Sequence, residues 1–171
     1  MLKKALVVID IQNDITKNYK EIIDNINSSI DWAVNHNIHV VYIRHENLST
    51  STRTSKPDTR GVELAPDLKI VSDNIFTKSK ANALTSEDFA AFVDKNEIND
   101  FYITGADAVA CVKSTCYNLA KVGYTVTVIS DCITSYDKKK FPEMSDYYKN
   151  YYKNKGCKIM SLNDILSFKL K

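Results

Sequence analysis

Three residues far apart in the chain carry chemistry that fits together: Asp10, Lys78 and Cys111. A thiol becomes a nucleophile once it loses its proton, a carboxylate can accept that proton, and an ammonium can steady both negative groups. Cys111 stands in Thr104-Gly105-Ala106-Asp107-Ala108-Val109-Ala110-Cys111-Val112, after the apolar run Phe101-Tyr102-Ile103. Val112, Thr115, Cys116, Leu119 and Ala120 then recur at helical spacing. The thiol is thus expected at a strand-to-helix turn. There the partial positive charge of the helix N-terminus favours thiolate, and free N–H groups, that of Cys111 included, can hold an oxyanion. Attack on a carbonyl, or on another electrophilic carbon, would give a covalent intermediate. Spacing alone places Lys80 as well as Lys78 at the end of its strand.

The elements that must position these groups read as a doubly wound α/β fold. Leu6-Val7-Val8-Ile9 is a continuous, β-branched-rich run, the pattern of a central strand buried on both faces. Asp10 follows it directly, and Gln12 lies just beyond. Ile22, Ile26, Ile30 and Ala33 predict a helix over 19–35, and Ile38 to Ile43 a second strand. Further strands are expected at Ile75-Phe76-Thr77, at Phe101 to Thr104, at Tyr124 to Ser130 and at Lys158-Ile159-Met160. Thr85 is expected to cap a helix carrying Phe89, Phe92 and Val93, with Asp88 completing a capping box. Gly123 suits the residue that ends the helix after Cys111. In a three-layer, mainly parallel sheet of Rossmann-like order, the C-terminal strand ends share one edge, so Asp10, Lys78 and Cys111 can converge.

Composition narrows the function. The 171 residues suit one domain, 1–171, with room for a substantial core. A net charge of +2, with lysines scattered apart from Lys138-Lys139-Lys140, gives no basic stripe, so no nucleic-acid partner is expected. No apolar run approaches a membrane span, and the short run before Asp10 is too brief for a signal peptide. The expectation is a cytoplasmic protein acting on a small molecule. Cys116, Cys132 and Cys157 read as small buried hydrophobes. His45 opens a polar stretch, Asn47 to Arg60, whose length suits a binding loop or a disordered one, and reads as substrate-facing or solvated; no DxH or HxH spacing accompanies it, so no metal is expected. Tyr147, Tyr148, Tyr151 and Tyr152 suggest an amphipathic helix packing on the sheet or on a second subunit. No glycine-rich loop follows the first strand, which argues against a flavodoxin-like cofactor site.

These motifs together resemble the isochorismatase-like cysteine hydrolases, a family that includes nicotinamidases, carbamoylsarcosine amidases and isochorismatases. Val7 to Asp14 resembles its opening strand and catalytic aspartate. Gly61-Val62-Glu63-Leu64 resembles its G-x-E-L turn, and Lys78-Ser79-Lys80-Ala81-Asn82-Ala83-Leu84 its lysine segment, which selects Lys78 over Lys80. Gly105 to Val112 resembles G-x-x-T-D-x-C-V, while Gly123-Tyr124 and Asp131 match later landmarks. The resemblance implies Asp10 as general base and acid, Lys78 as electrostatic partner and Cys111 as nucleophile. It also implies a non-proline cis peptide between Ala106 and Asp107, within the oxyanion turn. Gln12 and His45 would border a substrate pocket. The expected activity is hydrolysis of a small amide or related compound through a thioester, without cofactor, by a homo-oligomer (dimer or tetramer). Two departures stand out: Ala108-Val109 replaces the family's Thr-Asp pair, and the metal-binding Asp/His cluster of nicotinamidases has no counterpart after the second strand. A non-catalytic binding or assembly subunit on the same fold is the alternative expectation.

Overall fold

The computed structural model of the chain describes residues 3–50, 54–135 and 150–167. Six strands form one sheet in the order β3-β2-β1-β4-β5-β6. They are β1 (Lys4–Ile9), β2 (His39–His45), β3 (Ile75–Lys78), β4 (Asp100–Ala106), β5 (Thr125–Thr134) and β6 (Lys158–Met160), and every pairing is parallel. The order runs outward from β1 to β3, then reverses at the β1–β4 seam. The C-terminal ends of strands flanking such a reversal open a crevice, which is where doubly wound folds bind ligands. Asp10 and the Cys111 turn leave the sheet on the two sides of that seam.

Alternation along the strands supplies two cores. Val7 and Ile9 of β1, Val41 and Ile43 of β2, and Phe101 and Ile103 of β4 face α3 (Glu87–Lys95) and α4 (Cys111–Val122). Leu6, Val8, Val40 and Tyr42 face α2 (Ile23–Asn35) and the short helix Leu162–Ser167. Strands buried on both faces need apolar residues at every position, which is why β1 has no polar alternation.

The structure adjusts several expectations. The helix expected over 19–35 is α2, preceded by α1 (Asn13–Tyr19) and a single 3-10 turn, Lys20–Ile22. Tyr19 therefore ends a helix instead of starting one. Ser86, not Thr85, caps α3 by accepting the Phe89 N–H; Thr85 closes the preceding 3-10 turn, with its hydroxyl on the Asn82 carbonyl. Strand β5 runs on to Thr134 because a bulge sets Val128 to Ile133 against Ile103 to Gly105. Asp131 therefore lies within the strand, where its carboxylate accepts the Leu162 N–H. Gly123 ends α4 at φ 105°, as expected. Tyr147 and Tyr148 lie outside the described residues. Tyr151 and Tyr152 belong to helical turns over 150–154, and Tyr151 packs beside Lys113 of α4.

Gly105 secures the seam. Its φ is 115°, and a Cβ there would stand 2.1 Å from the Ile9 carbonyl oxygen. Neither atom can retreat, because Ile9 pairs with Gly105 inside the sheet. Gly105→Ala should therefore lose about 3 kcal/mol or more of stability. A guanidinium unfolding midpoint equal to that of the parent protein would show that the seam tolerates a side chain.

Candidate active site

Each element ends by delivering one side chain. β1 ends at Ile9, and Asp10 then takes φ 55°, a left-handed conformation that Asp tolerates better than most residues. Its N–H still bonds the Ile43 carbonyl, so the carboxyl is anchored to the sheet edge while turning out of the strand. β3 ends on Lys78, whose side chain is fully buried. Behind it the segment 81–83 is held to α4 by Thr115, whose hydroxyl accepts the Ala83 N–H at 3.0 Å. Cys111 is the first residue of α4 and is partly exposed.

These ends meet at one atom. Lys78 Nζ lies 3.2 Å from Asp10 Oδ2, 3.0 Å from His45 Nδ1 and 3.3 Å from Cys111 Sγ. An ammonium has three N–H donors, and here each has an acceptor. Lys80 is exposed and takes no part. His45 must accept through Nδ1, which leaves its proton on Nε2. Burial and the Lys78 charge both hold its pKa below the usual value, so the ring stays neutral in this arrangement.

The electrostatics reverse one expectation. The helix N-terminus and the lysine were expected to favour thiolate. Instead, burial and the negative charge of Asp10 push the Cys111 thiol up to about 12, and Lys78 opposes them only in part. Burial also raises the Asp10 carboxyl above its ordinary range, despite the pull of Lys78. The site therefore sets a thiol of weakened acidity beside a carboxyl of raised basicity, and a proton has a short path between them.

The turn before Cys111 contains a cis peptide between Ala106 and Asp107, where the resemblance implied one. Ala106 is buried and ends β4, while Asp107 begins the turn. Gln12 is fully buried. Its Oε1 accepts the His45 N–H at 2.8 Å, and its Nε2 donates to the carbonyls of His45 and Val62. It thus ties β1 to the strand end that carries His45. The turn over 61–64 lies along residues 11–13 through Asn13 N–H to Glu63 O and Ala65 N–H to Ile11 O. A Cβ on Gly61 would strike the Asp14 carboxylate, which receives the Ser55 N–H of the long loop. A cleft of about 310 Å³ beside that loop is lined by Arg44, Glu46, Asp58, Arg60 and Glu63, among others, and excludes Cys111.

Asp10, His45 and Cys111 each offer a metal-ligating atom, all within 4.8 Å of one another. Lys78 Nζ lies within hydrogen-bond distance of all three residues, so a positive charge already sits among these donors. The set does not fit a divalent cation while Lys78 keeps that place.

Tyr19, Thr115 and Tyr152 escaped the reading of the sequence as site residues. Tyr19 donates to Asp107 Oδ2 at 2.9 Å, and Tyr152 to the Ala108 carbonyl at 2.5 Å. A phenol that finds its partner across 88 residues, as Tyr19 does, leaves no local pattern to read.

Sheet order, crevice and converging side chains together define a class of protein, and direct comparison agrees. Residues 4–164 match the isochorismatase domain, so the chain belongs to the isochorismatase family. The isochorismatase family protein YddQ of Bacillus subtilis is 24% identical over 140 residues, covering 77% of this chain and 78% of YddQ. Among solved structures, an isochorismatase-like hydrolase from Alkaliphilus metalliredigens superposes with a TM-score of 0.82 at 23% identity, covering 96% of this chain and 97% of its own. A Pyrococcus horikoshii pyrazinamidase in complex with zinc gives 0.82 at 21% identity, over 93% and 99%. N-carbamoylsarcosine amidase from Thermoplasma acidophilum gives 0.79 at 19%, over 95% and 98%. These likenesses establish the shared fold.

Proposed function

We propose that the chain is a cysteine hydrolase of small amides or related carbonyl compounds, working through a thioester on Cys111. The observation that carries this reading is the single ammonium of Lys78 within 3.3 Å of both the Asp10 carboxylate and the Cys111 sulfur. Amide hydrolysis by two neighbours of similar fold, the pyrazinamidase and the carbamoylsarcosine amidase, is consistent with it.

Asp10 takes the Cys111 proton as sulfur attacks the carbonyl carbon. The C–S bond forms, and the carbonyl π electrons move to oxygen. The Cys111 N–H, which makes no hydrogen bond among the described residues, is a donor available to that oxygen. Collapse breaks the C–N bond, and Asp10 returns its proton to the departing nitrogen. Water then attacks the thioester carbonyl and loses a proton to Asp10. Collapse of the second tetrahedral intermediate breaks C–S, and the sulfur recovers its proton. Lys78 stays charged throughout and steadies whichever partner is negative. No step runs through a metal ion, because Lys78 fills the centre of the donor set.

A panel of small primary amides tests the reading, with ammonia release as the signal. The pH profile gives a sharper check. Asp10 must be ionised to act as base, and its pKa lies above the ordinary value, so activity should fall with acidification at a higher pH than an exposed Asp would set. An acid limb at or below the ordinary Asp range would exclude Asp10 as the base. If no amide is turned over and Cys111 resists alkylation, the chain is a binding or assembly subunit on this fold.

A further inference from the structure

The nucleophile turn lacks polar side chains where it most needs them, since Ala108, Val109 and Ala110 carry none. Asp107 makes up for this. Its main-chain oxygen accepts the N–H groups of Ala110 at 3.0 Å and Val112 at 3.1 Å. Its Oδ1 accepts the Val109 N–H at 2.9 Å, and its Oδ2 accepts the Tyr19 hydroxyl at 2.9 Å. The Ala108 N–H goes to the Thr134 carbonyl. From Ala108 to Val112, the N–H of Cys111 alone has no partner among the described residues. Tyr19 comes from a different layer, at the end of α1, and is 5% exposed. Burial and the adjacent carboxylate keep its phenol protonated, so it acts as a donor.

We infer that Tyr19 and Asp107 form a positioning pair that presents the Cys111 N–H as the oxyanion donor. The inference rests on the cysteine-hydrolase reading and extends it to two residues with no reacting atom. Asp107 takes up the neighbouring N–H groups, and Tyr19 fixes the Asp107 carboxylate from the end of α1. The pair does the hydrogen bonding that Ala108 and Val109 cannot. Removing the Tyr19 hydroxyl takes one hydrogen bond from the Asp107 carboxylate, which slackens the turn while the Lys78 contacts to Asp10, His45 and the thiol stay in place.

Two probes separate this role from a general structural one. Iodoacetamide reports nucleophilicity alone: the C–S bond forms, C–I breaks with iodide leaving, the thiol proton goes to Asp10, and no oxyanion develops. A small aldehyde such as propanal reports the donor. Sulfur adds to the carbonyl carbon, the π electrons move to oxygen, and the thiol proton ends on that oxygen in a reversible hemithioacetal. Aldehyde affinity is read as protection of Cys111 from alkylation, followed by mass spectrometry of the Cys111 peptide. Tyr19→Phe should weaken aldehyde binding about tenfold or more, while alkylation without aldehyde stays within about twofold of the parent. Asp107→Asn should weaken aldehyde binding likewise, and the double variant should lose no more than the worse single one, as expected of residues acting as a unit. Unchanged aldehyde affinity, additive losses, or a parallel fall in both probes would overturn the pair. A parent protein whose Cys111 is neither alkylated nor protected would instead overturn the hydrolase reading itself.

Discussion

Cys111→Ala should lower amide turnover by at least about four orders of magnitude, since the residual activity of a site without its nucleophile comes only from binding and the oxyanion donor. The loss is expected to be this large because, among the described residues, no other side chain at this point can replace the sulfur. Asp10 and Lys78 are buried against each other, and His45 spends Nδ1 on Lys78. The replacement should fold, because Lys78 keeps its bonds to Asp10 and His45 when the thiol is removed. Turnover by the variant within tenfold of the parent would exclude Cys111 as nucleophile and leave Asp10 to be examined as a direct base on water.

Lys78→Met should produce the second large effect, on activity and stability together. The variant keeps a side chain of similar length and loses the charge. Without it the Asp10 carboxyl, already raised by burial, rises further, because the Lys78 charge is the largest of the effects that pull it down. A carboxyl held more in its protonated form is less available to take the thiol proton, so turnover should fall about a thousandfold. Removing one partner of a buried ion pair should also cost about 3–5 kcal/mol when the other stays charged. That cost depends on pH. A carboxyl whose folded pKa lies above its unfolded value destabilises the fold progressively as pH rises between the two values, and by the full amount beyond them. The variant widens that interval. Its stability deficit against the parent should therefore be smaller at about pH 5 than at about pH 8, as measured by guanidinium unfolding midpoints. An equal deficit at both values would mean that the Asp10 charge is not what Lys78 balances.

Much of this arrangement was legible in the residues because burial imposes local patterns. A strand covered on both faces must read as Leu6-Val7-Val8-Ile9, and a residue that follows such a strand must emerge at its C-terminal end. Asp10 and Lys78 lie at strand ends and Cys111 at the helix start after β4, so a parallel sheet brings them together whatever their separation. Features without a local pattern were not legible. α1 is mostly polar and offered no apolar stripe; Ser86 and Thr85 are equally plausible caps until the chain direction is known. The bulge that carries β5 past Asp131 depends on β4, not on its own sequence. The charge state of Cys111 was misjudged for a related reason. A helix N-terminus and a lysine can be read from spacing, whereas desolvation, here the larger effect, exists only once the layers have packed. The same holds for Tyr19, whose partner is set by the meeting of α1 with the β4–α4 turn.

The most direct measurement is the mass of the protein quenched in acid during turnover of an accepted amide, followed by mapping of the modified peptide. The expected result is an increase equal to the acyl group of the substrate, located on Cys111, discharged by hydroxylamine and absent from Cys111→Ala. Turnover with no acyl group on Cys111 under conditions that trap thioesters, or an adduct on any other residue, would contradict it.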